Sequence, residues 1–253
     1  MCELLGFSAR VPADIAGYAE TFFTHSDHNP HGWGLMFENG SRRTVRESVK
    51  ASESKLLPEL LKDLPPQKNF LAHIRYATVG TVKEENCHPF TDRDISGREW
   101  TMIHNGTIYS GRKTYKYIRT QRGDTDSERL FLSFMDMMNE KLSAGRLSER
   151  ERFAAVNDFI TDNAPRNKLN IMFFDGDLLY VHKNLKNTLS YKTYESGVLF
   201  STIPLDGSGW VPFPIAQVTA FKNGRAVYKG SVHKGIFVPT LEYITALDAA
   251  MNI

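Results

Sequence analysis

The chain has 253 residues, 41% of them hydrophobic, and two cysteines, Cys2 and Cys87. That length supports one large domain or two small ones around a sizeable core, while two thiols exclude a disulfide framework and fit a reducing compartment. A net charge of +2, from 31 Lys and Arg against 29 Asp and Glu, gives no basis for a nucleic-acid face, and no apolar run approaches the ~20 residues that span a bilayer. With only Met1 ahead of Cys2 there is no room for a secretory or lipoprotein signal, so the expectation is a soluble cytoplasmic protein without nucleic-acid or membrane partners.

In chain order, Leu4 and Leu5 read as an opening strand, and Pro12 to His25 as a helix with Ile15, Tyr18, Ala19 and Phe22 on one face. A turn-rich loop, His25 to Gly32, leads into a strand at Gly34–Phe37, a hairpin at Asn39-Gly40 and a return strand from Thr44 to Val49. Ser54 to Leu64 reads as a short helix. Asn69 to Tyr76 alternates, with Phe70, Ala72 and Ile74 on one face and Leu71, His73 and Arg75 on the other. Trp100 to Ile103 is a strand expected to stop at His104-Asn105-Gly106. Thr125-Asp126-Ser127-Glu128 opens the strongest helix with a capping-box pattern, and a second helix runs from Ser148 to Asn163. The remaining third is strand-rich, with turns at Asp175-Gly176 and Asn223-Gly224. Strands, two adjacent helices, then strands again predict one α+β domain over residues 2–253.

A cysteine directly after the initiator methionine becomes the N-terminus once Met1 is trimmed, and one residue then carries both a thiol and a free α-amine. The unperturbed amine titrates at about 8 and the thiol at about 8.5, so a nucleophile and a general base share one residue. The alternative is that Cys2 is an ordinary small residue.

Further positions supply what such a nucleophile requires, and most have a plainer reading. Arg75, late in an apolar strand, must reach solvent or meet an anion, which would be a substrate carboxylate or an internal Asp or Glu. Thr78 and Gly80 stand where a hydroxyl and backbone N–H groups can join that anion. Asn105 and Gly106 can form an oxyanion hole, or simply a tight turn. Asp126 can cap its helix or receive an ammonium. His25, His28 and His31 lack the companions of a zinc site, so no metal is expected, and Cys87 and His88 read as structural.

In their order, Cys2, His31-Gly32-Trp33-Gly34, His73-Ile74-Arg75-Tyr76-Ala77-Thr78, Asn86-Cys87-His88-Pro89, His104-Asn105-Gly106 and Thr125-Asp126-Ser127-Glu128 resemble the class II glutamine amidotransferases of the N-terminal nucleophile superfamily. The Met-Cys-Glu-Leu-Leu-Gly start looks most like their stand-alone branch. The resemblance implies a four-layer αββα sandwich, hydrolysis of the L-glutamine side-chain amide through a Cys2 thioester, and no cofactor. It implies Cys2 as nucleophile, Asn105 and Gly106 as oxyanion hole, Arg75 on the glutamine α-carboxylate and Asp126 on its α-ammonium. Tyr76 and Thr78 would line the carboxylate side of the pocket; Tyr76 and Val79 stand where synthase-linked members typically show Trp and His. The ammonia acceptor would be a separate synthase. Two other outcomes are a hydrolase of another γ-glutamyl amide and an inactive binding protein with the same fold.

Overall fold

The computed structural model describes residues 1–110, 112–239, 241 and 244–245. Its first half runs β1 (Glu3–Ala13), α1 (Ala16–Thr24), β2 (Trp33–Asn39), β3 (Ser41–Glu47), α2 (Leu56–Lys62), β4 (Gln67–Ile74), β5 (Phe90–Arg93) and β6 (Glu99–Thr107). The second half runs α3 (Asp126–Ser143), α4 (Glu149–Asn163), β7 (Lys168–Phe174), β8 (Leu179–His182), β9 (Ser190–Thr193), β10 (Gly197–Ser201), β11 (Val211–Pro212), β12 (Thr219–Lys222) and β13 (Arg225–Lys229).

β1 lies inside a seven-stranded sheet of order β11-β9-β10-β1-β4-β2-β3, and the second sheet has order β13-β12-β8-β7-β6-β5. Every pairing is antiparallel. Because successive side chains of a strand point to opposite faces, β1 sends Leu5, Phe7 and Ala9 to a core shared with α1 and α2, while Leu4 enters the layer between the sheets. Leu71 of β4, Ile103 of β6 and Met172 of β7 meet Leu4 there. On the far side, Trp100 and Met102 of β6 pack with Phe131 and Phe134 of α3 and Val156 and Ile160 of α4. The layers are therefore helix, sheet, sheet, helix: the expected αββα sandwich. The C-terminal third completes both sheets, β9 to β11 in one and β12 with β13 in the other.

Two expectations from sequence are corrected. The helix expected from Pro12 starts at Ala16, because β1 continues through a register shift to pair Ala13 with Gln67, and the Asp14 carboxylate then accepts from Ala16 N at 2.9 Å. More consequentially, β6 does not stop at His104. It runs on to Thr107, with Asn105 opposite Asn170 and Gly106 opposite Leu169 on β7. Asn105-Gly106 is thus strand and not a tight turn, and Asn105 is held by sheet hydrogen bonding on a rigid element.

Candidate active site

The head of β1, the tail of β4, the tail of β6 and the head of β7 converge at one pole of the sandwich. Glu3 pairs with Ile74, and Thr107 pairs with Lys168. Cys2 lies just ahead of β1, half-buried, with its sulfur bracketed by one backbone unit: Tyr76 N donates to Sγ at 3.2 Å and Sγ–H donates to Tyr76 O at 3.2 Å. Burial pushes the Cys2 thiol up, opposed by the Tyr76 backbone, the N-terminal amine, Lys168 and Arg75. The amine of Met1 is lowered, first by burial and then by the nearby Lys168.

Lys168 is the residue the sequence did not announce. It opens β7 with 2% exposure, and its ammonium donates to Asn105 Oδ1 at 2.9 Å while lying 3.1 Å from Met1 Sδ. Desolvation pulls its pKa down to about 8, and Cys2 partly offsets that. An ammonium has donors only, so the Asn105 atom facing it must be the oxygen. Asn105 Nδ2 then points the other way, and it is buried with no partner among the described residues. An unpaired buried amide donor costs about 1–3 kcal/mol, which makes it an observation that calls for an acceptor.

Gly106 is glycine for a steric reason. A Cβ there would lie 1.9 Å from the Lys168 carbonyl oxygen and 2.3 Å from His104 Nε2.

Arg75 does not take the internal Asp or Glu that was one of its two expected partners. Among the described residues no carboxylate pairs with it; its guanidinium donates to the carbonyls of Thr81 (3.1 Å), Val79 (3.1 Å), Gly80 (3.3 Å) and His31 (3.5 Å). It thereby holds the loop after β4, which Asp124 also fixes by accepting from Thr81 N at 3.1 Å and Thr81 Oγ1 at 2.9 Å. Thr78 is exposed and Tyr76 half-exposed on this loop. Asp126 sits in the first turn of α3, where Oδ2 accepts from Ile108 N at 2.6 Å, tying α3 to the end of β6. The helix cap is Thr125, accepting from Glu128 N at 3.2 Å; the Glu128 carboxylate completes no capping box and instead receives Arg122 N and Gly123 N.

The three histidines of the 25–31 segment go separate ways. His25 Nδ1 lies 2.8 Å from the buried Glu3 carboxylate, His28 is exposed, and His31 Nδ1 accepts from Ala77 N at 3.0 Å with its ring against Tyr76. Behind the site, His73 and His88 stack at 4.2 Å, and His73 Nε2 donates to His104 O at 3.2 Å. Burial pushes His73 down to about 3, His104 to about 4 and His88 well below its ordinary value, so this shell is neutral at pH 7. Burial also raises Cys87 to about 11. That thiol stays protonated, with Sγ 3.3 Å from Glu47 O.

Comparison with known proteins decides the family. The model of the class II glutamine amidotransferases matches residues 1–196. The chain belongs to that family. An uncharacterized relative of this amidotransferase, MJ1515 from Methanocaldococcus jannaschii, is 28% identical over 259 residues, covering 90% of this chain and 71% of its own. The putative glutamine amidotransferase YafJ of Escherichia coli is 36% identical over 149 residues, and the match spans 56% of each chain, little more than half the length of that relative. Among solved structures, the glutamine phosphoribosylpyrophosphate amidotransferase of B. subtilis superimposes with TM-score 0.68 at 13% identity, over 93% of this chain and 50% of that one. That likeness shows that this amidotransferase has the N-terminal nucleophile fold. Among its described residues no helix is long and apolar enough to cross a membrane.

Proposed function

We propose that residues 2–253 form one amidotransferase domain that hydrolyses the side-chain amide of L-glutamine, and that it does so once Met1 is removed. The observation that carries this reading is the orphaned carboxamide donor of Asn105, fixed on a strand and clamped by a lysine that also touches the N-terminal residue. Cys2 Sγ attacks the amide carbon, and the tetrahedral oxyanion is received by Asn105 Nδ2 and the N–H of Gly106; one such donor is worth about 3–4 kcal/mol in the transition state. The freed α-amine takes the thiol proton and passes it to the departing ammonia. The same amine then activates the water that cleaves the γ-glutamyl thioester, giving glutamate and regenerating the thiol.

Arg75 takes the α-carboxylate by exchanging the Val79 and Gly80 carbonyls for it, beside Tyr76 and Thr78. Asp126 takes the α-ammonium while keeping Ile108 N on its other lone pairs. The ammonia passes to a separate synthase, in a cytoplasmic setting.

The test is intact mass before and after exposure to a diazoketone analogue of glutamine, with Cys2→Ala as control, alongside glutamate release from glutamine. Loss of Met1, one adduct on the wild type and none on Cys2→Ala supports the reading. A trimmed protein that takes no adduct and releases no glutamate sinks it, and turnover of larger γ-glutamyl amides would then redirect the substrate.

A further inference from the structure

We propose that Lys168 is the positioning residue of this site: its ammonium grips Asn105 Oδ1 and so turns Asn105 Nδ2 to where the oxyanion develops. The proposal rests on the reading of Asn105 above and adds what sets that residue's orientation. A carboxamide on a strand can rotate by half a turn with little change of shape, exchanging its donor end for its acceptor end. Sheet hydrogen bonds fix the Asn105 backbone but not this choice. The ammonium fixes it, because two donors cannot face each other at 2.9 Å. With a buried side chain at the start of β7, paired with Thr107, Lys168 is itself held by the sheet that carries Asn105.

The clamp depends on the proton. A neutral Lys168 amine has a lone pair and can accept from Nδ2, so the flipped carboxamide, with its oxygen toward the substrate, is no longer penalised. The lowered value of Lys168, about 8, places this loss just above neutral pH. The titratable groups facing Lys168 among the described contacts include Cys2 and the N-terminal amine at the head of β1, and His104 on β6, whose Nε2 donates to the Lys168 carbonyl at 3.1 Å. Arg75, after β4, acts on the same thiol. His104 is already neutral above pH 6. Cys2, raised by burial, and the amine, lowered by it, lie beside Lys168 and titrate too, so the comparison must be made against a variant lacking only the lysine charge.

Lys168→Met keeps the length and removes the charge. On Met1-free protein at pH 7.5 it should lower kcat at least tenfold with KM for glutamine within about twofold. Asn105→Ala should cost about 100-fold, in the range for a lost oxyanion donor. If Lys168 acts through Asn105, adding Lys168→Met to Asn105→Ala should cost less than about threefold more. Effects that multiply would overturn the proposal, as would an unchanged kcat in Lys168→Met. A second readout needs no turnover: the Asn105 side-chain 15N resonance, assigned with Asn105→Ala, should titrate near pH 8 in wild type and lose that inflection in Lys168→Met. The same curve in both proteins would overturn the clamp even in an active enzyme. A wild type that releases no glutamate but shows the lysine-dependent inflection would instead fail the glutamine reading and leave the clamp standing.

Discussion

At the scale of single residues, the site combines groups that local pattern exposes with groups that only the fold brings in. Gly106 illustrates the first kind. Its dipeptide with Asn105 stands out in sequence, yet the reason for glycine is the Lys168 carbonyl that a Cβ would meet at 1.9 Å. Gly106→Ala must push β6 from β7, and should cost at least ~2 kcal/mol and lower Tm by about 5 °C or more, read by thermal and urea unfolding. Cys2, Asn105 and Asp126 stand out as candidates because a cysteine at position 2, an Asn-Gly pair and a helix-opening cluster are local signals. Lys168 was not: it is one of many cations, it lies 63 residues from Asn105, and its meaning comes from burial beside a carboxamide. The role of Arg75 was half legible. An arginine in an apolar strand announced a need for acceptors, but four loop carbonyls occupy its donors here without neutralising its charge, and composition cannot tell such acceptors from a carboxylate.

At the scale of elements, the opposite pole of the sandwich is held by a buried charge. Asp175 closes β7 with a fully buried side chain, accepting from Arg152 Nε of α4 at 2.8 Å, Tyr180 Oη of β8 at 3.0 Å and Leu178 N at 2.7 Å. Asp175→Ala leaves the largely buried Arg152 without that partner, and should destabilise by about 3–5 kcal/mol in urea unfolding. In sequence Asp175-Gly176 was visible only as a turn. The same limit explains which strands went unseen. β5, β9 and β11 are short and border the sheets or lie near their edges; β5 and β9 carry Thr, Asp, Arg, Ser and Lys in place of an apolar alternation, and β11 is only Val211-Pro212. β4 was plain from the alternation that begins at Asn69, β7 because burial on both faces makes it rich in apolar residues, and α3 because its inward face repeats at helical spacing.

At the scale of the whole molecule, four buried histidines set the acid limit of the fold. Burial depresses His73 and His182 to about 3, His104 to about 4 and His88 well below the ordinary 6.5. Above pH 6.5 folded and unfolded chains are both neutral at these sites and nothing is lost. Below it the unfolded chain takes protons that the fold refuses, so stability falls as pH drops, by about 1.4 kcal/mol per histidine at pH 5.5. Glu3, raised mainly by burial, works in the opposite sense only nearer the carboxylate range. Urea unfolding from pH 7.5 to 5.5 should therefore show a steep decline, with about four protons taken up on unfolding; a flat profile would refute the neutral shell. The sheet order carries a second expectation. The family match ends at residue 196, one residue before β10, which supplies β1 with its second neighbour through pairs such as Leu5 with Ser201. A chain cut at residue 196 loses β10, β11, β12 and β13, opens an edge in each sheet and should aggregate on expression, as light scattering would report. In biosynthesis the order has a cost in time. β1 leaves the ribosome first and can pair with β4 early, but its other edge waits for β10, more than a hundred residues later. At ~5–20 residues per second that is on the order of ten seconds during which a strand whose first seven residues end up buried is half-covered, and it is then that a nascent chain has most need of a chaperone.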